Sequence, residues 1–188
     1  PDESGIKSFK NLSIGMNRLS IIDSNKHNIP YFDNEKKIWA VFNGEIYNFK
    51  QLKKEFNIKN DFRTFSDIEI IIFLYKKFGL KFIHKINGMF SIAIYDKEKN
   101  KIFLFRDRAG EKPLYYYFDK NIFIFASEIK ALLNHSGSKI NENYFPFRSL
   151  EISFGENTMF DNIYSLLPGD YLVLNTLNLS FKKYSYWK

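Results

Sequence analysis

The segment GMFSIAIYD-KEKN-KIFLFRD, Gly88 to Asp107, constrains the fold of this chain more than any other. Two apolar, β-branched and aromatic runs flank four polar residues, the pattern of two strands folded back on each other through a tight turn. PLYYYFD (Pro113 to Asp119), a turn at Lys120-Asn121 and IFIFASE (Ile122 to Glu128) repeat it. Two successive hairpins commit the chain to antiparallel sheet, and the remaining segments have to cover that sheet's faces.

The other segments are of both kinds. NLSIGMNRLSIID (Asn11 to Asp23) has the texture of one or two strands, and KIWAVFNG (Lys37 to Gly44) is another. After the Asn43-Gly44 step IYNFKQLKKEF reads as a helix, so this Asn-Gly joins a strand to something other than its hairpin partner. Ser66-x-x-Glu69 is a capping box ahead of IIIFLYKKF, with Ser66 as N-cap and a helix ending near Gly79. A short helix is expected over Lys81 to Ile86 and another over Ser127 to Asn134. NHSGSKINENY (Asn134 to Tyr144) is the best linker candidate, and the residues from Phe154 to Lys188 read as two further strands around Pro168-Gly169. Without sustained β-α-β alternation or a solenoid-length repeat, the inventory predicts an α+β layered sandwich on antiparallel sheet.

Composition narrows the function classes. With 188 residues, 45% apolar and 19% aromatic, the chain has material for a sizeable core. The formal charge of +7 invites a nucleic-acid partner, yet the lysines are scattered singly and in pairs (Lys36-Lys37, Lys53-Lys54, Lys76-Lys77, Lys182-Lys183), which reads as solvated faces. No cysteine is present, which excludes disulfides, a thiolate metal site and a cysteine nucleophile within these residues. No apolar run reaches the roughly 18 residues of a membrane span. His27, His84 and His135 show no metal-site spacing and no nucleophile partner, so no metal site is read.

Several residues have two readings each. Arg18, between apolar neighbours, either pairs with a structural carboxylate, which its own context favours, or grips a ligand carboxylate with its planar fork. Asp67 in a first helical turn is accounted for by the helix dipole, and Glu45 by a contact to the helix that follows it. Asn43 and Gly44 are a turn in an arbitrary sequence, but side-chain amide and backbone N–H could together form an oxyanion hole. Arg106-Asp107-Arg108 reads as an internal ion-pair network ahead of phosphate binding. Taken together, a charged fork, two carboxylates and an oxyanion-type donor pair are what recognition of a free α-amino acid requires.

The same residues carry a resemblance. RLSIID (Arg18 to Asp23), NGEIYN (Asn43 to Asn48), Ser66-Asp67, GMFSIAIYD, RDRAGEKPLYY (Arg106 to Tyr116) and FASEIKAL (Phe125 to Leu132) resemble the glutaminase domain of glutamine-hydrolysing asparagine synthetases. These form a branch of the class II, N-terminal-nucleophile glutamine amidotransferases. PDESG (Pro1 to Gly5) is similar to the family's RGPDxSG segment, and Phe154 to Leu172 to its closing stretch. NGEIYN at this distance after RLSIID is specific, since the sugar-phosphate and phosphoribosyl branches usually carry another residue where Glu45 stands.

The resemblance implies a four-layer αββα sandwich of two antiparallel sheets between helices. In it Arg18 would bind the glutamine α-carboxylate, and Leu19, Ser20, Ile21 and Ile22 would line the pocket with backbone. Asn43 and Gly44 would be oxyanion donors, while Glu45 and Asp67 hold the ammonium. The expected organisation is one type 2 amidotransferase domain, residues 1–134 as main body and 135–188 as closing strands leading to a synthetase domain. That domain would be the partner and would hold ATP and Mg²⁺, with no cofactor in this chain. A homodimer is a further implied possibility, in a cytoplasmic enzyme of asparagine biosynthesis, with neither nucleic acid nor membrane as partner. The chain departs from the family at the nucleophile: residue 1 is Pro and no cysteine follows, so it is read as truncated at its N-terminus and inactive by itself. A glutamine-binding pseudo-enzyme, and an amidotransferase acting on a sugar or peptide carboxylate, stay open as alternatives.

Overall fold

A computed structural model describes residues 2–18, 29–58, 67–141 and 155–188. The two hairpins form as their alternation predicts: β5 (Gly88–Asp96) pairs with β6 (Lys101–Arg106), and β7 (Tyr115–Phe118) with β8 (Phe123–Ala126), all antiparallel. The chain opens with a hairpin of β1 (Glu3–Ser8) and β2 (Ser13–Arg18), then a two-residue β3 (Tyr31–Phe32) and the nine-residue β4 (Ile38–Ile46). Helix α1 (Phe49–Glu55) follows the Asn-Gly step, and α2 (Ile68–Phe78) begins with Asp67 in the cap position and ends at Gly79. Ser66, read as that helix's N-cap, lies outside the described residues.

The short helix expected after Gly79 is a 3-10 helix, Gly79–His84, that starts directly at the end of α2 and buries Phe82 and Ile83. Helix α3 (Ile129–Ser136) comes next. The closing segment holds three strands where two are expected: β9 (Ile163–Ser165), β10 (Asp170–Asn175) and β11 (Phe181–Ser185). Pro168-Gly169 turns between the first two.

The strands assemble into a six-stranded sheet in the order β11-β10-β6-β5-β4-β3, a three-stranded sheet β8-β7-β9, and the β1-β2 pair. Alternation along each central strand sorts side chains to two cores. Ile38, Ala40, Ile92, Ile94, Phe103 and Phe105 face one side, where Leu52, Ile70, Ile71, Leu74 and Phe82 of the helices cover them. Trp39, Val41, Ala93, Tyr95, Ile102, Leu104 and Leu172 face the other, against Ile14, Leu114, Tyr116 and Leu166. Tyr117 and Ile163, on the far face of the small sheet, bury Leu132 of α3. The order of layers is therefore helices, large sheet, small sheet, helix: an α+β, four-layer αββα sandwich. Strands buried on both faces explain why these segments read as near-continuous apolar runs.

Candidate functional site

The site is built at the open end of β4, and the ladder decides which backbone groups are available there. Along an antiparallel strand, successive residues turn their N–H and C=O to opposite sides. In β4 the odd positions serve β5: Lys97 N donates to Lys37 O at one end, and Tyr47 N to Asn87 O just past the other. The even positions face away from β5. Ile38 exchanges bonds there with Asp33, Ala40 is opposite Tyr31 of β3, and Ile46 donates to Asp67 Oδ2. Gly44 belongs to this outward row. Its partner in register, Phe90, directs both N–H and C=O at Asp107, so the Gly44–Phe90 pair exchanges no ladder bond. β3 reaches only Ala40 and Trp39. By this alternation the Gly44 N–H lies on the side away from β5, past the end of β3.

Only glycine fits there. Gly44 has φ +142°, and a Cβ would lie 2.0 Å from Met89 O and 2.7 Å from Phe90 Cα. Gly88, two residues further along the pairing, is its mirror image, with a Cβ position 2.1 Å from Glu45 O. The two glycines let the backbones of β4 and β5 approach around the Glu45–Met89 pair. Beside Gly44, the Asn43 side chain is exposed, and Glu45 is half-buried.

Asp67 is 6% exposed and lies at the start of α2, next to this strand end. Its Oδ2 accepts the Ile46 N–H at 2.8 Å. Burial pushes its pKa up, the Ile46 N–H opposes that, and the negative charge of Glu45 adds to the upward shift. The two carboxylates thus share one electrostatic environment, and a cation between them would relieve the desolvation and the repulsion together. Tyr47 stands among the same charges: partial desolvation, then Glu111, Glu45 and Asp107, raise its phenol pKa. Asn48 fastens the segment from behind, its side chain donating to Lys85 O at 2.9 Å and accepting from Asn87 N at 2.9 Å.

The RDRAGEKP loop is the part that sequence reasoning misjudged. In place of an ion-pair network, the charges of Arg106, Asp107 and Arg108 are met, among the described residues, by neutral groups. Arg106 donates to the carbonyls of Lys112, Leu166 and Gly110 at 3.1, 2.7 and 2.8 Å, and to Ser165 Oγ at 3.0 Å. Asp107, 1% exposed, accepts four backbone N–H groups: Ala109 and Glu111 on Oδ1, Phe90 and Lys112 on Oδ2. Arg108 stacks on Trp187, its guanidinium 4.4 Å from the ring centre. The loop closes on itself and on the strand bearing Phe90, because both charged side chains point inward at backbone. The spacing of charge and glycine in Arg106-Asp107 followed by Gly110, which has φ +72°, is the local signal for such a closed loop.

The structure brings Asn43, Gly44, Glu45 and Asp67 to one strand end. Arg18 ends β2 opposite Glu3, and its side chain lies outside the described residues, as do Leu19, Ser20, Ile21 and Ile22. His84 and His135 are exposed, on the 3-10 helix and α3. Chemically, the strand end offers an outward N–H, a neighbouring exposed amide and two carboxylates, a combination that suits a ligand with an ammonium group and a carbonyl that acquires negative charge.

Comparisons with known proteins agree with this frame. The glutamine amidotransferase domain matches residues 1–187. The chain is 40% identical over 195 residues to asparagine synthetase (glutamine-hydrolyzing) 2 of Bacillus subtilis (strain 168), covering 100% of this chain and 26% of that protein. It is 36% identical over 215 residues to putative asparagine synthetase (glutamine-hydrolyzing) 2 of Methanocaldococcus jannaschii, covering 100% of this chain and 41% of the relative. The chain therefore spans well under half the length of these curated relatives. Among solved structures it is similar to glutamine phosphoribosylpyrophosphate amidotransferase from B. subtilis, with a TM-score of 0.66 at 19% identity over 93% of this chain and 34% of that one. That likeness is one of fold, the αββα sandwich of the N-terminal-nucleophile type. With the family match running from residue 1 to residue 187 and relatives that cover the whole chain, this protein belongs to the glutamine amidotransferase domain family and resembles that part of glutamine-hydrolysing asparagine synthetases.

Proposed function

We infer that this chain is the glutaminase domain of a glutamine-hydrolysing asparagine synthetase. It binds glutamine and, with a cysteine from outside these 188 residues, releases ammonia for ATP-dependent amidation of aspartate. The observation that carries the reading is the convergence of an outward Gly44 N–H, the Asn43 amide, Glu45 and buried Asp67 at one strand end, in a family of glutamine amidotransferases.

In this reading the Arg18 fork takes the α-carboxylate of glutamine, with Leu19, Ser20, Ile21 and Ile22 lining the pocket, and Glu45 and Asp67 take the α-ammonium. These ends fix the side-chain carboxamide between the nucleophile and the Asn43–Gly44 donors. Thiolate attack on the amide carbon forms a C–S bond and places negative charge on the carbonyl oxygen, where two donors stabilise it. Collapse breaks the C–N bond, the leaving nitrogen takes up the proton that the thiol gave up on becoming thiolate and departs as ammonia, and water hydrolyses the γ-glutamyl thioester to glutamate and free thiol. Among the described residues no three His, Asp or Glu side chains group as a cation site needs, and ATP and Mg²⁺ are assigned to the synthetase part. That domain and glutamine are the proposed partners, with homodimerisation and a cytoplasmic location as extensions of the same reading.

The lack of cysteine in these residues supports a second reading, a glutamine-binding pseudo-enzyme. The test is glutaminase activity of the complete translated protein beside a version with its terminal cysteine changed to alanine. Ammonia release that disappears in the variant supports the enzyme. A start without cysteine, with glutamine binding but no ammonia, overturns it in favour of the pseudo-enzyme. Ammonia transfer to a sugar or peptide carboxylate in preference to aspartate would replace the acceptor and keep the domain's role.

A further inference from the structure

Asp107 holds a position in the sheet that a backbone carbonyl ordinarily fills. Beyond Arg106, β6 would continue against β5 with Asp107 opposite Phe90, and the two residues would exchange both N–H···O bonds. One of the two is made, from Asp107 N to Phe90 O at 2.9 Å. The second is not, because Asp107 O turns away to accept Gly110 N at 3.2 Å and Gly169 N at 2.9 Å. The side chain substitutes: Asp107 Oδ2 accepts the Phe90 N–H at 3.2 Å. Its other contacts, to Ala109, Glu111 and Lys112, hold the loop that makes the carbonyl turn away.

This substitution reaches the candidate site through direct backbone contact. Phe90 faces Gly44 in register, and the space a Gly44 Cβ would need is filled by Met89 O and Phe90 Cα. No side chain lies between the two strands at this point to absorb a shift of Phe90, so it passes to Gly44. We propose that Asp107 is a positioning residue for glutamine hydrolysis: by completing the ladder at Phe90 it fixes the Gly44 N–H in its outward direction, at the place where the oxyanion forms. The proposal rests on the function inferred above and adds a residue from a separate loop to it.

Asp107→Asn in the complete translated protein tests it. The amide keeps one acceptor oxygen and turns an NH₂ toward two N–H donors, either those of Ala109 and Glu111 or those of Phe90 and Lys112. Misaiming one oxyanion donor lowers kcat for glutamine hydrolysis on the order of 10- to 100-fold, while KM for glutamine stays near wild type because the α-carboxylate and ammonium contacts are untouched. Ile102→Ala, in the core of β6, is the reference for general loosening. If it lowers Tm as much as Asp107→Asn and keeps kcat, the positioning role stands. An unchanged kcat in Asp107→Asn, or a kcat loss matched by the reference at equal Tm, overturns it. Hydrogen exchange over residues 41–46 is the second readout, independent of chemistry. Faster exchange there in Asp107→Asn, together with no ammonia release from the wild-type protein, would overturn the glutaminase reading while keeping the positioning of Gly44. Unchanged exchange would overturn the positioning itself.

Discussion

The carboxylate of Asp67 accepts the backbone N–H of Ile46 at 2.8 Å, and this one bond joins the start of α2 to the strand end that carries Asn43, Gly44 and Glu45. A residue that would suit any first helical turn is thereby withdrawn from water and turned toward the strand. Its pKa is raised, first by burial, with Glu45 contributing. For a group whose folded pKa exceeds its unfolded value of about 3.9, ionisation costs stability, and that cost grows as pH rises from the unfolded toward the folded pKa.

Asp67→Asn keeps an oxygen for the Ile46 N–H and removes the buried charge. Its Tm at neutral pH is expected within about 4 °C of wild type, a change under about 1 kcal/mol, and the mild gain that wild type makes on acidification toward pH 4 disappears. Glutamine KM rises roughly 10- to 100-fold, since a charge-assisted hydrogen bond contributes about 1.5–3 kcal/mol. Thermal melts across pH and steady-state kinetics check the two halves separately; a large Tm loss with unchanged KM would make Asp67 a structural residue.

Gly44→Ala is expected to destabilise the fold by about 1–3 kcal/mol and to abolish most glutaminase activity, because its methyl group meets Met89 O. Gly88→Ala meets Glu45 O from the opposite strand and is expected to have the same consequences. Denaturant titration and ammonia release measure both. A stable, fully active Gly44→Ala would mean that the strand end tolerates displacement and that its amide has no catalytic task.

Asp96 is buried and bound by Tyr75 Oη at 2.8 Å, by Lys99 Nζ at 2.8 Å and by Lys99 N at 3.1 Å. Burial by itself would raise its pKa, and the Lys99 and Tyr75 contacts outweigh it, so the pKa is lowered. A lowered folded pKa means stability that is present above the unfolded pKa near 3.9 and lost as pH falls through the folded one. Asp96→Asn is expected to cost about 1–3 kcal/mol at neutral pH and to flatten the acid limb of the stability curve. Urea midpoints at pH 7 and pH 3 give the answer, and parallel acid limbs in variant and wild type would contradict it.

Arg106→Lys preserves charge and loses the fork that reaches Gly110, Lys112, Ser165 and Leu166 together. One ammonium cannot serve all four, and carbonyls left without donors make the change cost about 2–4 kcal/mol. Calorimetry would show it as a lower Tm. An effect below about 0.5 kcal/mol would place Arg106 among exposed charges of little energetic weight.

Much of the frame is legible in the sequence, and the reason is locality. The hairpins β5-β6 and β7-β8, the strand leading into Asn43-Gly44, helix α1 after it and the end of α2 at Gly79 all follow from alternation, turn residues and caps, which act within a few residues. β1 escaped because ESGIKS is largely exposed and has no apolar alternation to read. β9 escaped because three residues acquire strand character only by pairing with β7, some fifty positions earlier.

The site divides along the same line. Asn43, Gly44, Glu45 and Asp67 are chemically suggestive where they stand in the chain, and a family resemblance joins them to one task; by themselves each has a structural explanation as good. Which backbone N–H of β4 is left over could be decided only when β5 took one side, when β3 stopped at Ala40 and when Asp107 claimed Phe90. The same holds for Arg106 and Asp107, whose charges suggested pairing with other charges until the folded loop supplied carbonyls and amides in their place. Local sequence determines what a segment can be, because periodicity and turn chemistry are short-ranged; which groups remain unpaired is a property of neighbours brought together from far along the chain, and tertiary structure decided it.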